Sequence, residues 1–125
     1  MSAVEKAWMK ARESFKAAIV CFRTNNFDSC VSRCYYAMMW AAWVLLLANG
    51  YKFQNLKHGT LQRLFRVVAL KVGLPDVLSD WMMDAYNLRR LADYNLEAVE
   101  TVRAQLALSR LDAFLSYIGG MTSHE

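Results

Sequence analysis

From Tyr35 to Ala48 every one of fourteen consecutive side chains is apolar, and the run ends on Asn49-Gly50. A helix that crosses a bilayer needs about 20 such residues, so this length predicts a buried core helix instead of a membrane span. Extended back to Asp28, the segment is apolar nearly all round, the pattern of a helix surrounded by others. Asp28 is the expected N-cap of a helix from Ser29 to Ala48, and Gly50 the stop. One stripe of it holds only small residues (Cys30, Cys34, Ala37, Ala41 and Ala48), which would let a neighbouring helix approach closely.

The rest of the chain has the same bias. With one proline and five glycines in 125 residues, breakers are few, which favours long helices over strands and turns. The length suits one domain, residues 1–125, with one core. A helix is predicted over Ala3–Arg23, where Ser2 and Glu5 fit a capping box and Trp8, Ala11, Phe15, Ala18 and Phe22 recur at helical spacing. Tyr51 to His58 reads as a loop. A shorter helix follows from Gly59 to Val72, with Leu61, Leu64, Phe65, Val68 and Ala69 facing inward. A fourth is predicted over Val77–Tyr94 with Asp76 as its cap. A fifth runs from Glu97 to Ile118, ended by Gly119-Gly120. The expected fold is all-α, an antiparallel bundle of four to five helices.

The first residues turn amphipathic at once, without the charged-then-apolar pattern of a secretion signal. Three cysteines (Cys21, Cys30, Cys34) without such a signal predict reduced thiols and a cytoplasmic protein. Cys30 and Cys34 lie one turn apart with no second pair and no histidine nearby, so no metal is expected. The net charge of +4 is unevenly spread. Six basic residues and no acidic one fall between Ser29 and Pro75, whereas Asp76–Glu100 carries six acidic residues against Arg89 and Arg90. Such a division suits a polyanion or a second copy of the chain, but on charge alone solvated helix faces are the favoured explanation.

The fourth helix is the most informative for chemistry. At 100° per residue Arg89 falls within the apolar stripe beside Met82, Ala85 and Ala92, where a charge needs a partner. Asp93, four residues on, is placed to supply it. Arg90 points elsewhere and shares a face with Met83, Tyr86 and Tyr94, a combination suited to a partner or nucleic-acid surface. Arg33 shares its face with Tyr36, Ala37 and Trp40, which predicts a partly buried guanidinium paired to Asp93 or Asp84.

Three strings, Asp28-Ser-Cys-Val-Ser-Arg-Cys-Tyr-Tyr-Ala-Met-Met, Lys57-His58-Gly59 and Arg89-Arg-Leu-Ala-Asp-Tyr94, occur in an order that resembles the HEPN superfamily. The likeness spans nearly the whole chain and is strongest to small members with S-R-x-Y-Y-A and R-x-x-A-D-Y patterns. It implies a helical bundle that dimerises. It also implies pairing with a small nucleotidyltransferase in toxin–antitoxin modules, and in many members metal-independent cleavage of RNA by an Arg and a His on one helix. Here the pattern departs: after Arg89 and Arg90 the matching positions hold Tyr94, Asn95, Leu96 and Glu97, with no histidine. The two histidines are His58, at a loop-to-helix boundary, and His124, in a terminal tail expected to be disordered.

Cleavage through a 2′-hydroxyl needs a group that takes its proton and a charge that steadies the phosphate. The catalytic candidates are Arg89, Asp93, Tyr94 and His58, the last only if folding or a dimer mate brings it to the fourth helix. The binding candidates are Arg33, Tyr36 and Arg90. Without the motif histidine, the sequence favours a homodimeric binding or regulatory partner of a nucleotidyltransferase, with no cofactor. The alternatives are an RNA-cleaving toxin and an RNA- or nucleotide-binding subunit without catalysis.

Overall fold

A computed structural model describes residues 1–123; His124, and with it the expectation for the tail, lies outside the described residues. Five helices form: α1 (Ala3–Arg23), α2 (Phe27–Ala48), α3 (His58–Lys71), α4 (Val77–Tyr94) and α5 (Thr101–Thr122), with no strand among the described residues. α1 begins as its sequence dictates: the Ser2 hydroxyl accepts from Glu5 N–H, and the Glu5 carboxylate accepts from Ser2 N–H. Its fully buried positions are all alanines, Ala7, Ala11 and Ala18. α2 likewise buries small side chains, Cys30, Cys34, Ala37 and Ala41, and α1 and α2 are the pair of helices that packs most extensively of all.

α2 is the centre of the bundle and touches each of the other four helices. By length and composition it is the one helix among the described residues that passes for a membrane span, yet 67% of its most apolar window is buried inside the bundle. That is the pattern of a core helix. Gly50, at φ +90°, takes the left-handed turn that ends it, and Tyr51 N–H then bonds back to the Leu46 carbonyl. α3 covers one end of the core, its Phe65 stacked on Phe114 of α5 at 5.4 Å and both rings fully buried.

Chain direction follows from which ends meet. The last turn of α4 lies beside the first turn of α2, where Asp93 shares a depression with Asp28 and Ser29, so α4 runs against α2. Val99, two residues before α5, is tied to Asp28, so α5 runs with α2. α4 therefore opposes α2 and α5, and α1 opposes them too, since Phe22 near its end meets Phe27 at the start of α2 and Lys10 reaches Trp40.

The bounds of α2 and α5 differ from expectation, and α3 is displaced by one residue at each end. Asp28 does not cap α2, which starts two residues earlier than expected with Asn26 at the cap position. Its carboxylate Oδ1 instead accepts the Val99 N–H at 2.8 Å, across 71 residues of sequence. α4 has the expected bounds with Asp76 at its N-cap position, but the Asp76 carboxylate makes no capping bond and faces Arg66 at 3.7 Å. α5 starts at Thr101, because Asn95–Glu100 forms the connection with Leu96 fully exposed. The helix then continues through Gly119-Gly120 to Thr122, since Ile118 and Gly119 are buried against the bundle and tertiary packing outweighs the low helix propensity of glycine.

Replacing Asp28 by alanine would strand the N–H of the buried Val99. The expected loss is about 1–3 kcal/mol of unfolding free energy. Urea titration measures it, and amide exchange at Val99 should accelerate in the same variant.

Candidate functional site

The last turns of α4 pack against the first half of α2 at a corner built around Arg89. Its side chain is 27% exposed, and its Nε lies 3.8 Å from Asp93 Oδ2, the i,i+4 pair expected from spacing. The guanidinium carbon is 5.5 Å from the Tyr35 ring centroid and 5.1 Å from that of Tyr36. Two aromatic faces and one carboxylate thus hold the charge at the protein boundary, where cation–π attraction offsets part of the lost hydration.

Folding brings His58 to this corner. The first residue of α3, it packs parallel to Tyr86 of α4, with centroids 3.7 Å apart and planes 6° apart. Its Nδ1 is 2.8 Å from the Tyr35 hydroxyl. Nε2 is buried with no partner among the described residues, whichever tautomer is present. Protonation would make both ring nitrogens donors, one of them with nowhere to donate. Burial first, and the nearby Arg89 charge second, hold the imidazole below its usual pKa. The positive end of α3 acts in the same sense. Burial also pushes the Tyr35 phenol up to about 12, against the opposing pull of Arg89. At neutral pH the pair is an uncharged hydrogen bond that pins α3 to α2.

This has a consequence for stability. The unfolded chain takes up a proton at His58 near pH ~6.5, above the point at which the folded chain does. Stability contributed by the neutral imidazole is therefore full above about pH 6.5 and is lost as pH falls from there towards the depressed folded value. His58→Gln should flatten the decline of melting temperature between about pH 7 and pH 5; an unchanged slope would contradict the assignment.

Outside Arg89, the corner opens into a depression of about 220 Å³ lined by Asp28, Ser29, Ser32, Arg33, Tyr36 and Asp93. Arg33 corrects an expectation: it is exposed, and among the described residues no carboxylate pairs with it. Asp93 is taken by Arg89, and Asp84 by Arg110 of α5 at 3.1 Å. The reason is position, because Arg33 sits on the rim of the depression and reaches solvent. Arg90 and Tyr94 stand apart from this pocket. Arg90 lies 5.9 Å from the Tyr86 ring centroid, and with the 82% exposed Tyr94 it borders a separate shallow depression at the end of α4.

The sequence reading missed Ser29, Ser32 and Asp28 as members of the corner. Their signal was available in the 29, 32, 33, 36 spacing that puts them on the face of Arg33 and Tyr36. Among the described residues no three His, Cys, Asp or Glu side chains gather to hold a metal ion. Cys30 and Cys34 are fully buried, and the neighbouring Cys30 thiol first and burial second push the Cys34 thiol well above its usual pKa. What the corner offers is a fixed guanidinium, a free one, two hydroxyls, a phenol and two carboxylates, Asp28 bound to Val99 N–H and Asp93 facing Arg89. The guanidinium and hydroxyl groups suit phosphate and sugar oxygens.

Comparison with known proteins fits this architecture. Residues 4–120 match the HEPN domain family. The chain is similar to Putative toxin MJ0142 of Methanocaldococcus jannaschii, with 32% identity over 74% of this chain and 62% of that protein. It is also similar to Putative toxin MJ0605 of the same organism, with 26% identity over 86% of this chain and 80% of that protein. The match thus spans less than two thirds of the first relative's length.

Proposed function

The chain belongs to the HEPN family, and on that premise we propose that it is a toxin-like protein that binds RNA at the α2–α4 corner. In this reading it is the binding and regulatory half of a cytoplasmic module of toxin–antitoxin type, as a homodimer, with a small nucleotidyltransferase as its partner. One observation carries the binding part: the depression presents Arg33 beside Ser29 and Ser32, Arg89 stands next to it against Tyr36 and Asp93, and the His58 imidazole is buried behind and does not line it. Phosphate recognition is served by these groups, whereas proton abstraction from a ribose hydroxyl is not. The names of the two archaeal relatives support the toxin-like part. The nucleotidyltransferase and the dimer rest on family resemblance, and the three free cysteines support the compartment.

A second reading, RNA cleavage, is favoured by the approach of His58 to Arg89 through their shared neighbour Tyr35. A neutral imidazole can take a proton, provided Nε2 leaves its buried position. Incubation of the purified protein with single-stranded RNA separates the two. Binding that weakens steeply with salt and leaves the RNA intact is expected. Cleavage abolished by both Arg89→Ala and His58→Ala would replace the binding reading with the catalytic one. Affinity indifferent to salt would sink RNA recognition altogether. For the module, the protein purified from its native host should carry a nucleotidyltransferase, and a monomer free of it at micromolar concentration would overturn the partnership.

A further inference from the structure

Two of the corner residues have a second place. Arg33 and Tyr36 also line a depression of about 330 Å³ on the other side of α2, between it and α1, together with Lys10, Ser14 and Trp40. The two depressions are therefore adjacent, separated only by the Arg33–Tyr36 ridge. Ser29, Ser32, Arg33, Tyr36 and Trp40 follow one another at helical spacing, so the exposed stripe of α2 joins both along about 16 Å at ~1.5 Å per residue. At its far end stands an aromatic pair. Phe53, from the connection between α2 and α3, lies nearly parallel to Trp40, with centroids 5.8 Å apart and planes 17° apart. Phe53 also leans on the buried Trp43 at 4.8 Å, which fixes the loop that carries it.

Phe53 is 54% exposed although it has two indoles to pack against. Lys10 Nζ sits 5.1 Å from the Trp40 ring centroid, so a cation flanks the aromatic pair. Alternating cations and π-faces along one groove are what a single nucleic-acid strand requires, since every base has a face to stack and every linkage a negative charge. We infer that a single-stranded RNA held at the Arg33–Arg89 corner continues across α2 and stacks a base on the Trp40–Phe53 platform, with Lys10 meeting its backbone. This rests on the RNA-binding reading and adds to it a direction, a length and a second anchoring point. Glu13, which also lines the α1 side, repels phosphate. The backbone is thereby registered on Lys10 and Arg33, and base edges are left to meet Glu13 and Ser14.

The test is fluorescence anisotropy with two labelled RNAs, a dinucleotide and a single strand long enough to span the stripe. Phe53→Ala and Lys10→Ala should each weaken the long strand, Phe53→Ala by about five- to hundredfold, and leave the dinucleotide unchanged. Arg33→Ala should weaken both. Circular dichroism melts of each variant check that the fold persists. If Phe53→Ala and Lys10→Ala bind the long strand as the parent does while Arg33→Ala is impaired, the platform is wrong and the corner stands. If Arg33→Ala and Arg89→Ala are also without effect, the RNA-binding reading has failed. A duplex or an acidic peptide that competes as well as the single strand overturns the stacking assignment.

Discussion

Phe114→Ala should destabilise the protein by about 3–5 kcal/mol, the range for a large aromatic removed from a core. Phe114 and its stacking partner Phe65 are both wholly buried. They form a ring contact that links α3 to α5 through the core. A domain of this size is stable by only ~5–15 kcal/mol in total, so the variant would sit near the edge of folding at room temperature. Urea denaturation, with a check that the slope is unchanged, gives the number directly. A loss below about 1 kcal/mol would mean that the neighbours collapse into the space. The double variant with Phe65→Ala should lose less than the sum of the two single losses, because the second substitution removes a contact already gone.

Arg89→Ala carries the largest expected functional effect. If the guanidinium makes one charge-assisted bond to a phosphate, its removal should raise the dissociation constant for single-stranded RNA about ten- to hundredfold. The slope of log affinity against log salt should fall by about 0.7, the loss of a single phosphate contact. Arg89→Lys is the informative companion. It keeps the charge but cannot lie flat against Tyr35 and Tyr36 as a planar group does, so it should recover only part of the affinity. Stability should change little in either variant, because Asp93 is 42% exposed and is not left buried and unpaired. An affinity unchanged in Arg89→Ala would remove this residue from the binding surface.

What could be seen in the sequence, and what could not, divides along physical range. Local patterns were legible. The capping box at Ser2–Glu5, the span of α1, the small-residue stripe of α2 from Cys30 to Ala41 (its expected last member, Ala48, is exposed) and the Arg89–Asp93 pair each depend on residues three or four apart. The inward stripe of α4 was legible too, with Leu78, Met82, Ala85 and Ala92 buried. Failures came where a distant partner outbid a local preference. Asp28 has the chemistry of a cap, yet it bonds to Val99, which no periodicity could reveal. The glycines near the end of α5 have the chemistry of a stop, yet the packing around Ile118 and Gly119 carries the helix through them. Arg33 was expected in a pair because its neighbours are apolar, but its place on the rim depends on how α4 crosses α2. The arrival of His58 at Arg89 required the fold itself, since 31 positions separate them in sequence.

Tyr35 is the common neighbour in that meeting. Its hydroxyl holds His58, its ring meets the ring of Tyr86 at 5.5 Å, and its face receives Arg89. Four positions on three helices are thus bound into one unit, in which no member can change alone without leaving another short of its contact. Inheritance should record this. Among related chains, positions 35, 58, 86 and 89 are expected to vary together: a lineage that loses the imidazole at 58 should exchange the tyrosine at 35 for phenylalanine, while Tyr94, held by no such ring, varies independently of them.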